Sequence, residues 1–312
     1  MNPIKKSFKV LQTLGFRNLW YFLVYKIGLR TGHYQRMTPC KRTDFSGHPV
    51  LDPYRKFPEP SKSQIKLALA RADEVREGFV RLFGGDPTPL DLSLGRSTEH
   101  WSTLDPLPPD QDIKLIWEPA RFGWAIDLAR AYTFSRDDRY ASDFWEKIHQ
   151  FLDVHPPNCG YQWQSAQEVA IRLMVMIFCD RVFASAPSSS PEDRKRLWKA
   201  MIAHAQRIPP TLIYARAQNN NHLLSEAAAL LAAGWYLVDH PQASKWRKLG
   251  WHWLNWGFQH QIDESGTYIQ HSVNYHRLML QIALFSDHMI QMDADPAWPQ
   301  TTLAHLRTAT QW

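Results

Sequence analysis

From Ser61 onward, apolar residues recur three and four positions apart, the spacing of one buried helix face. This period predicts helices near 61–83, 117–133, 137–154, 164–185, 191–208, 220–239, 242–262, 273–292 and 297–310. Ser61-Lys62-Ser63-Gln64 opens the first and Gly84-Gly85-Asp86-Pro87 closes it. Asp137-Asp138 offers caps for the third, and His155-Pro156-Pro157-Asn158 ends it. Ser190, Pro191 and Asp193 stand at the N-cap, first and third positions of the 191–208 helix. Runs of period two are nearly absent, and 86–113 reads as irregular with at most a short strand. The pattern predicts an all-α chain of antiparallel helical hairpins, roughly 45–55 residues per pair. With no repeat visible residue by residue, an (α/α) toroid fits better than an open solenoid.

Residues 1–60 read differently. Met1 to Lys9 is basic, and Val10 to Leu29 is apolar but interrupted by Arg17, Asn18 and Lys26. No run approaches the ~20 apolar residues of a membrane-spanning helix. A helix docked on the main domain and a basic amphipathic helix at a membrane surface both fit the pattern. Ser46-Gly47-His48-Pro49, Asp52-Pro53 and Pro58-Glu59-Pro60 then mark a linker or extended arm, so the chain divides into 1–60 and a helical domain over 61–312.

Composition narrows the function classes. Apolar residues are 44% of the 312, enough for a sizeable core, and a net charge of +6 favours an anionic partner. No nucleic-acid-binding motif is present, so nucleic acid ranks below polysaccharide and membrane surface. The 14 Trp suit both helical cores and the faces of sugars. Cys40, Cys159 and Cys179 have no metal-ligand spacing, and their odd number predicts reduced thiols in place of a disulfide framework.

Two polar clusters carry the candidate chemistry. Asn219-Asn220-Asn221-His222 and Gln270-His271-Ser272-Val273-Asn274-Tyr275-His276-Arg277 lie about fifty residues apart, each at the start of an otherwise apolar helix. One Asn accounts for an N-cap; three followed by His exceed that need. Glu226 lies one helical turn after His222, where a carboxylate would orient the imidazole and favour its protonated form. The alanines that follow allow a second helix to approach closely. With Ser272 as N-cap, Tyr275 falls in a first helical turn, and the helix dipole with His222, His271 and Arg277 would favour a tyrosinate there. Glu118 with Arg121, and Glu168 with Arg172, are spaced as ion pairs at two further helix starts. Each cluster also has a structural reading: an elaborate cap, a core histidine, a half-buried phenol, a salt-bridged helix end. The clusters offer amides, imidazoles, a phenol and a guanidinium but no paired carboxylates, which suits neutralising an anion and moving a proton better than hydrolysis.

The strings WEPARFGWAIDLARAY, WQSAQEVAIRL, NNNHLLSEAAAL and GTYIQHSVNYHRLML occur in this order over roughly residues 60–310, and in that order they resemble the heparinase II/III family of polysaccharide lyases. The chain is most similar to members found among bacterial exopolysaccharide and lipopolysaccharide genes. The resemblance implies β-elimination on a uronate-containing, anionic polysaccharide, with no redox cofactor and no covalent intermediate. It matches Asn221 and His222 to the pair that neutralises the uronate carboxylate and Tyr275 to the proton-transferring tyrosine. Arg121, Gln167, His271 and Arg277 become candidate substrate contacts.

Family members continue into a C-terminal β-sandwich domain that completes the cleft, whereas this sequence ends at Trp312. The resemblance therefore predicts an incomplete (α/α) toroid that needs a separate or missing β-sandwich partner to cleave its substrate. A non-catalytic glycan-binding module and a helical scaffold bound to a membrane or partner are the alternatives. The family implies a periplasmic site of action. No small-residue cleavage site follows a clean apolar segment, which leaves cytoplasmic and peripheral-membrane locations open.

Overall fold

The structure, a computed structural model, describes residues 3–41, 59–290 and 297–312, with side chains from residue 15 on. Most of the expected linker and the junction before the last helix lie outside the described residues. The chain forms two compact units: one of Met1–Thr38, Ala205–Trp235 and Pro241–Trp312, the other of Pro39–His204 and Tyr236–His240.

The second unit holds α3 (Lys62–Arg76), α4 (Ile113–Ala120), α5 (Gly123–Ser135), α6 (Arg139–Val154), α7 (Ala166–Phe183) and the start of α8 (Pro191–Gln218). The two-residue strands β1 (Phe79–Val80) and β2 (Thr88–Pro89) pair antiparallel. Helix α5 packs against α3, α6 and α7. Phe122, Trp124, Leu128, Phe144, Ile148, Phe151, Leu173, Met176 and Phe183 are all at most 1% exposed and form its core. Beneath them Asp180, fully buried, accepts bonds from Arg194 Nε (2.8 Å), Trp198 Nε1 (2.6 Å) and the Tyr236 hydroxyl (2.5 Å). A buried carboxylate is tolerated there because its oxygens are saturated by donors, one of them cationic.

The first unit holds α1 (Pro3–Arg30), α2 (His33–Met37), the rest of α8, α9 (Asn221–Tyr236), α10 (Ala243–Gln261), α11 (Val273–Ile290) and α12 (Gln300–Ala309). Residues 223–234 of α9 are all buried, so the helix is covered on every face, Ser225 and Glu226 included, and lies inside the unit. The alanine run does let a second helix close in. A Cβ on Gly250 of α10 would sit 2.5 Å from the Ala227 carbonyl oxygen, and one on Gly257 would sit 2.5 Å from Leu224 Cδ2. Helix α1 is broken at Gly15, whose φ of 72° is left-handed, and its later half docks on this unit.

Several boundaries depart from the expected ones, each for a local reason. The first predicted helix ends at Arg76, not near Phe83, because Gly78 takes a left-handed φ of 88° and donates to Val75 O (3.0 Å). The predicted 117–133 helix is two helices separated by Phe122 at φ 63°. The 191–208 helix runs on to Gln218 through Pro209 and Pro210; each proline removes one intrahelical bond, but the long helix persists around them. Ser190 caps α8 as expected, its hydroxyl accepting from Asp193 N at 3.1 Å. At α6 the side chain that accepts the first free amide is Asp137, bonded to Arg139 N at 3.0 Å, and not Asp138.

The cysteines need correction. Cys40 and Cys159 form a disulfide, their Cα atoms 6.1 Å apart across 119 residues, and Cys179 is the buried free thiol. An odd count excludes complete pairing but not one pair.

Candidate functional site

The two polar clusters of the first unit meet. The chain turns into α9 through Asn219, held at φ 46°, and into α11 through His271, also at φ 46°. Two non-glycine residues in left-handed backbone at the heads of two helices are a local strain, tolerable for Asn and sustained by surrounding bonds. Those bonds run from one loop to the other. The Asn221 amide N–H donates to Gln270 Oε1 at 3.0 Å. Gln261, 1% exposed at the end of α10, donates from Nε2 to Asn219 Oδ1 (3.1 Å) and Asn220 O (3.2 Å). Its Oε1 accepts the Tyr268 hydroxyl at 3.1 Å. Gln261 and Tyr268 were not singled out in the sequence. The detectable signal was a glutamine amid the aromatic residues closing α10, next to a turn.

The side chains expected to do chemistry differ in exposure. Asn221 is 4% exposed, and its side-chain amide makes no hydrogen bond to other described residues. His222 is half-buried at the head of α9, where its backbone N–H donates to Asn220 Oδ1 at 3.0 Å. Tyr275 is 42% exposed in the first turn of α11, whose second turn opens with His276 N donating to Ser272 O at 2.8 Å. His271 and Arg277 are exposed on the same segment. His276 instead turns inward, 6% exposed, with Nε2 bonded to Ala309 O (2.9 Å) and its ring stacked 4.5 Å from that of Trp312.

Glu226 corrects one expectation. It is 2% exposed and its Oε2 has no hydrogen-bond partner among the described residues. Burial pushes its carboxyl up to about 8, with Arg207 pulling the other way. At neutral pH it is largely a neutral acid, not the anion expected to orient His222. The same burial brings Arg207 down to about 10, and Arg207 Nη1 donates to Thr211 Oγ1 at 2.6 Å.

Arg121 and Gln167 belong to the second unit. The Arg121 guanidinium is held by Glu168 through two bonds (Nε–Oε2 2.7 Å, Nη2–Oε1 2.8 Å) and by Glu118 at 2.7 Å. It is one cation against two carboxylates, lining a cavity of about 420 Å³ together with Asp127, whose carboxyl burial pushes up. Gln167 is 7% exposed. The expected Glu168–Arg172 pair does not form: Arg172, fully buried, donates to Gln162 O and to His204 Nε2. Glu168, 1% exposed, is matched better by a bidentate guanidinium from a neighbouring helix than by one on its own helix. Among the described residues no group of three or more His, Cys, Asp or Glu is placed to hold a metal ion. No described helix is long and apolar enough to cross a membrane.

The profile of the Heparinase II/III N-terminus family matches residues 99–312. A heparin-sulfate lyase of Bacteroides thetaiotaomicron is 23% identical over 255 residues, covering 74% of this chain and 34% of its own length. One from Bacteroides stercoris is 24% identical over 195 residues, 56% of this chain and 28% of its own. A crystal structure of heparinase III is similar with a TM-score of 0.63 at 20% identity, over 96% of this chain and 45% of its own. That of the heparan sulfate lyase HepC from Pedobacter heparinus has a TM-score of 0.60 at 17% identity, over 90% and 42%. These likenesses show the fold class, an all-α arrangement of the (α/α) toroid kind. The chain spans about a third of the length of these curated relatives, 34% and 28%.

Proposed function

The chain belongs to the heparinase II/III family of polysaccharide lyases, and from that premise we propose that it supplies the helical half of a lyase site acting on a uronate-containing polysaccharide. The observation that carries the reading is the Gln270–Asn221 bond, which ties the loop bearing Asn221 and His222 to the loop leading into Tyr275.

In the proposed reaction the Asn221 amide and the His222 imidazole donate to the uronate carboxylate. Donors aimed at charge that grows in the transition state lower the barrier most. With the carboxylate neutralised, the C5 proton becomes acidic enough for Tyr275, as tyrosinate, to remove it. The electrons of the C5–H bond form the C4–C5 double bond, the C4–O4 bond breaks, and the phenol returns the proton to the departing O4. No water is consumed. Arg277, exposed beside Tyr275, provides positive charge for flanking acidic groups of the chain, and His271, exposed on the same segment, a further hydrogen-bonding side chain. The names of the relatives favour a sulfated glycosaminoglycan as substrate. A β-sandwich domain, contributed by more of this protein or by a partner, completes the cleft. Action in the periplasm is part of the proposal, supported by the Cys40–Cys159 disulfide, a bond that persists in oxidising compartments.

The test is ultraviolet absorbance during incubation with heparan, hyaluronan-type and alginate-type uronates, with and without a β-sandwich domain from a relative. Elimination leaves a double bond conjugated to the carboxylate, which hydrolysis never produces. A rise with one polymer is expected. Binding of a polymer with no rise under either condition would replace the lyase reading with a glycan-binding module.

A further inference from the structure

Helix α1 has two faces with different fates. Arg17, Tyr21, Tyr25 and Gly28, spaced four, four and three apart, form the face that docks on the first unit. Arg17 lies over the Trp256 ring at 5.3 Å, and Tyr25 stacks on Tyr214 at 4.3 Å between centroids. The Tyr21 hydroxyl accepts from Arg216, whose guanidinium also lies over the Tyr21 and Trp253 rings at 4.0 and 4.4 Å. Gly28 admits the Tyr34 ring, which a Cβ would meet at 2.7 Å. These contacts fix the rotation of the helix about its axis.

The other face is therefore fixed outward. Phe16, Trp20, Leu23 and Ile27, spaced four, three and four apart, form one stripe, 74%, 54%, 49% and 51% exposed. From Phe16 to Ile27 the stripe runs ~17 Å along the axis. Scattered exposed apolar residues need no explanation, but four in register on one helix face, two of them aromatic, do. Lys26 and Arg30 are exposed on the same turns. No Asp or Glu precedes Asp44, whereas nine Lys and Arg residues occur from Lys5 to Arg42.

We propose that α1 attaches this protein to an anionic lipid bilayer, lying in the interface with the Phe16–Trp20–Leu23–Ile27 stripe among the acyl chains and its cations against the headgroups. Charge decides between occupants. A second copy packed on the stripe would bring two uniformly cationic segments together, whereas anionic lipid supplies both the apolar layer and the opposite charge. This is the composition of an interfacial helix: an apolar face, Lys and Arg beside it, and too little continuous hydrophobicity to span. The inference does not depend on the lyase reading, since no stripe residue takes part in that chemistry.

The test is co-sedimentation of the 312-residue protein with vesicles of phosphatidylcholine alone and of equal parts phosphatidylcholine and phosphatidylglycerol, with light scattering of the free protein. Binding to the anionic vesicles and not to the neutral ones is expected, weakening with salt. Trp20→Glu with Leu23→Glu should lower apparent affinity at least ~tenfold. Lys26→Gln and Arg30→Gln should each lower it about fivefold. Both sets leave the docked face intact, so melting temperature should be unchanged; Trp20→Ser with Leu23→Ser replaces the first pair if it melts early. No binding to anionic vesicles would overturn the proposal, as would equal binding by the stripe variants. A free-protein dimer that the stripe variants disperse, without vesicle binding, would overturn it in favour of self-association.

Discussion

The loops around Asn221 and Tyr275 and the cluster around Asp180 are built from the same kinds of polar side chain, yet they use them in opposite ways. Around Asp180 the charges and donors are matched: Arg194, Trp198 and Tyr236 converge on one carboxylate, and burial with that carboxylate raises the Tyr236 phenol far above its ordinary range. Around Asn221 the matching is done by the loop backbone and by Gln261 and Gln270, while the Asn221 side-chain amide and the exposed Tyr275 have no hydrogen-bond partner among the described residues. A polar group whose hydrogen-bonding capacity is spent internally holds a fold together. One whose capacity is held open by its neighbours is available to a ligand.

The largest effect should come from the uncommitted side. Tyr275→Phe should cut elimination by about 10²–10⁴-fold while leaving the melting temperature within error, the signature of a proton-transfer group. Near-normal turnover would remove Tyr275 from that role. On the committed side, Asp180→Ala should cost ~3–5 kcal/mol of unfolding free energy, because it leaves buried Arg194 uncompensated. A urea melt showing less than ~1 kcal/mol would mean that the cluster contributes little net stability.

Glu226 tests the boundary between the two kinds. Its folded carboxyl titrates at about 8 and its unfolded one in the ordinary carboxylate range. Between those values the folded state holds a proton that the unfolded state has released, so stability falls as pH rises through this window and levels off above about 8. The slope should approach 1.4 kcal/mol per pH unit at most, by the order-of-magnitude linkage relation. Glu226→Gln should flatten the profile in urea melts run from mildly acidic to mildly basic pH. A wild-type profile already flat would place the carboxyl's titration elsewhere. The smallest effect belongs to Arg139→Ala. Its pair with Asp137 is a bidentate contact at the surface, with Arg139 68% exposed, and its loss should leave the urea melt unchanged within error.

Much of this was readable in the sequence, for identifiable reasons. Helices α6, α7, α9, α10 and α11 were legible because turn residues bracket long apolar periods. The two polar clusters stood out because Asn219-Asn220-Asn221-His222 exceeds what a cap requires. What was missed depends on three-dimensional partners. Nothing local shows that Glu168 would take Arg121 in place of Arg172, or that Cys40 would find Cys159 across 119 residues. Gly78, the residue that stops α3 just past Arg76, lay hidden behind the stronger punctuation at Gly84-Gly85. Gln261 is one unremarkable letter until Tyr268 and the Asn219 loop fold against it. The helical continuation through Pro209-Pro210 defeats a rule that treats proline as a terminator.

The seam between α9 and α10 has a consequence for how this protein can change. Gly250 brings the two backbones so close that a single methyl group would collide with the Ala227 carbonyl oxygen and the Leu231 amide nitrogen of α9 at 2.5 Å, whereas one on Gly257 would meet only the Leu224 side chain of that helix. Helix α9 carries Asn221 at its head, so side-chain growth at Gly250 shifts a proposed substrate contact that lies beyond the altered residue. A misplacement of ~1 Å can cost a hundredfold in rate. Mutational tolerance should therefore be divided unevenly. Positions such as Val273 and Leu284, 71% exposed on α11, are free to drift and to retune what the surface accepts. Gly250, pressed against α9 backbone, should be among the least replaceable residues in the chain, and Gly257, facing a side chain that can move, should tolerate change better.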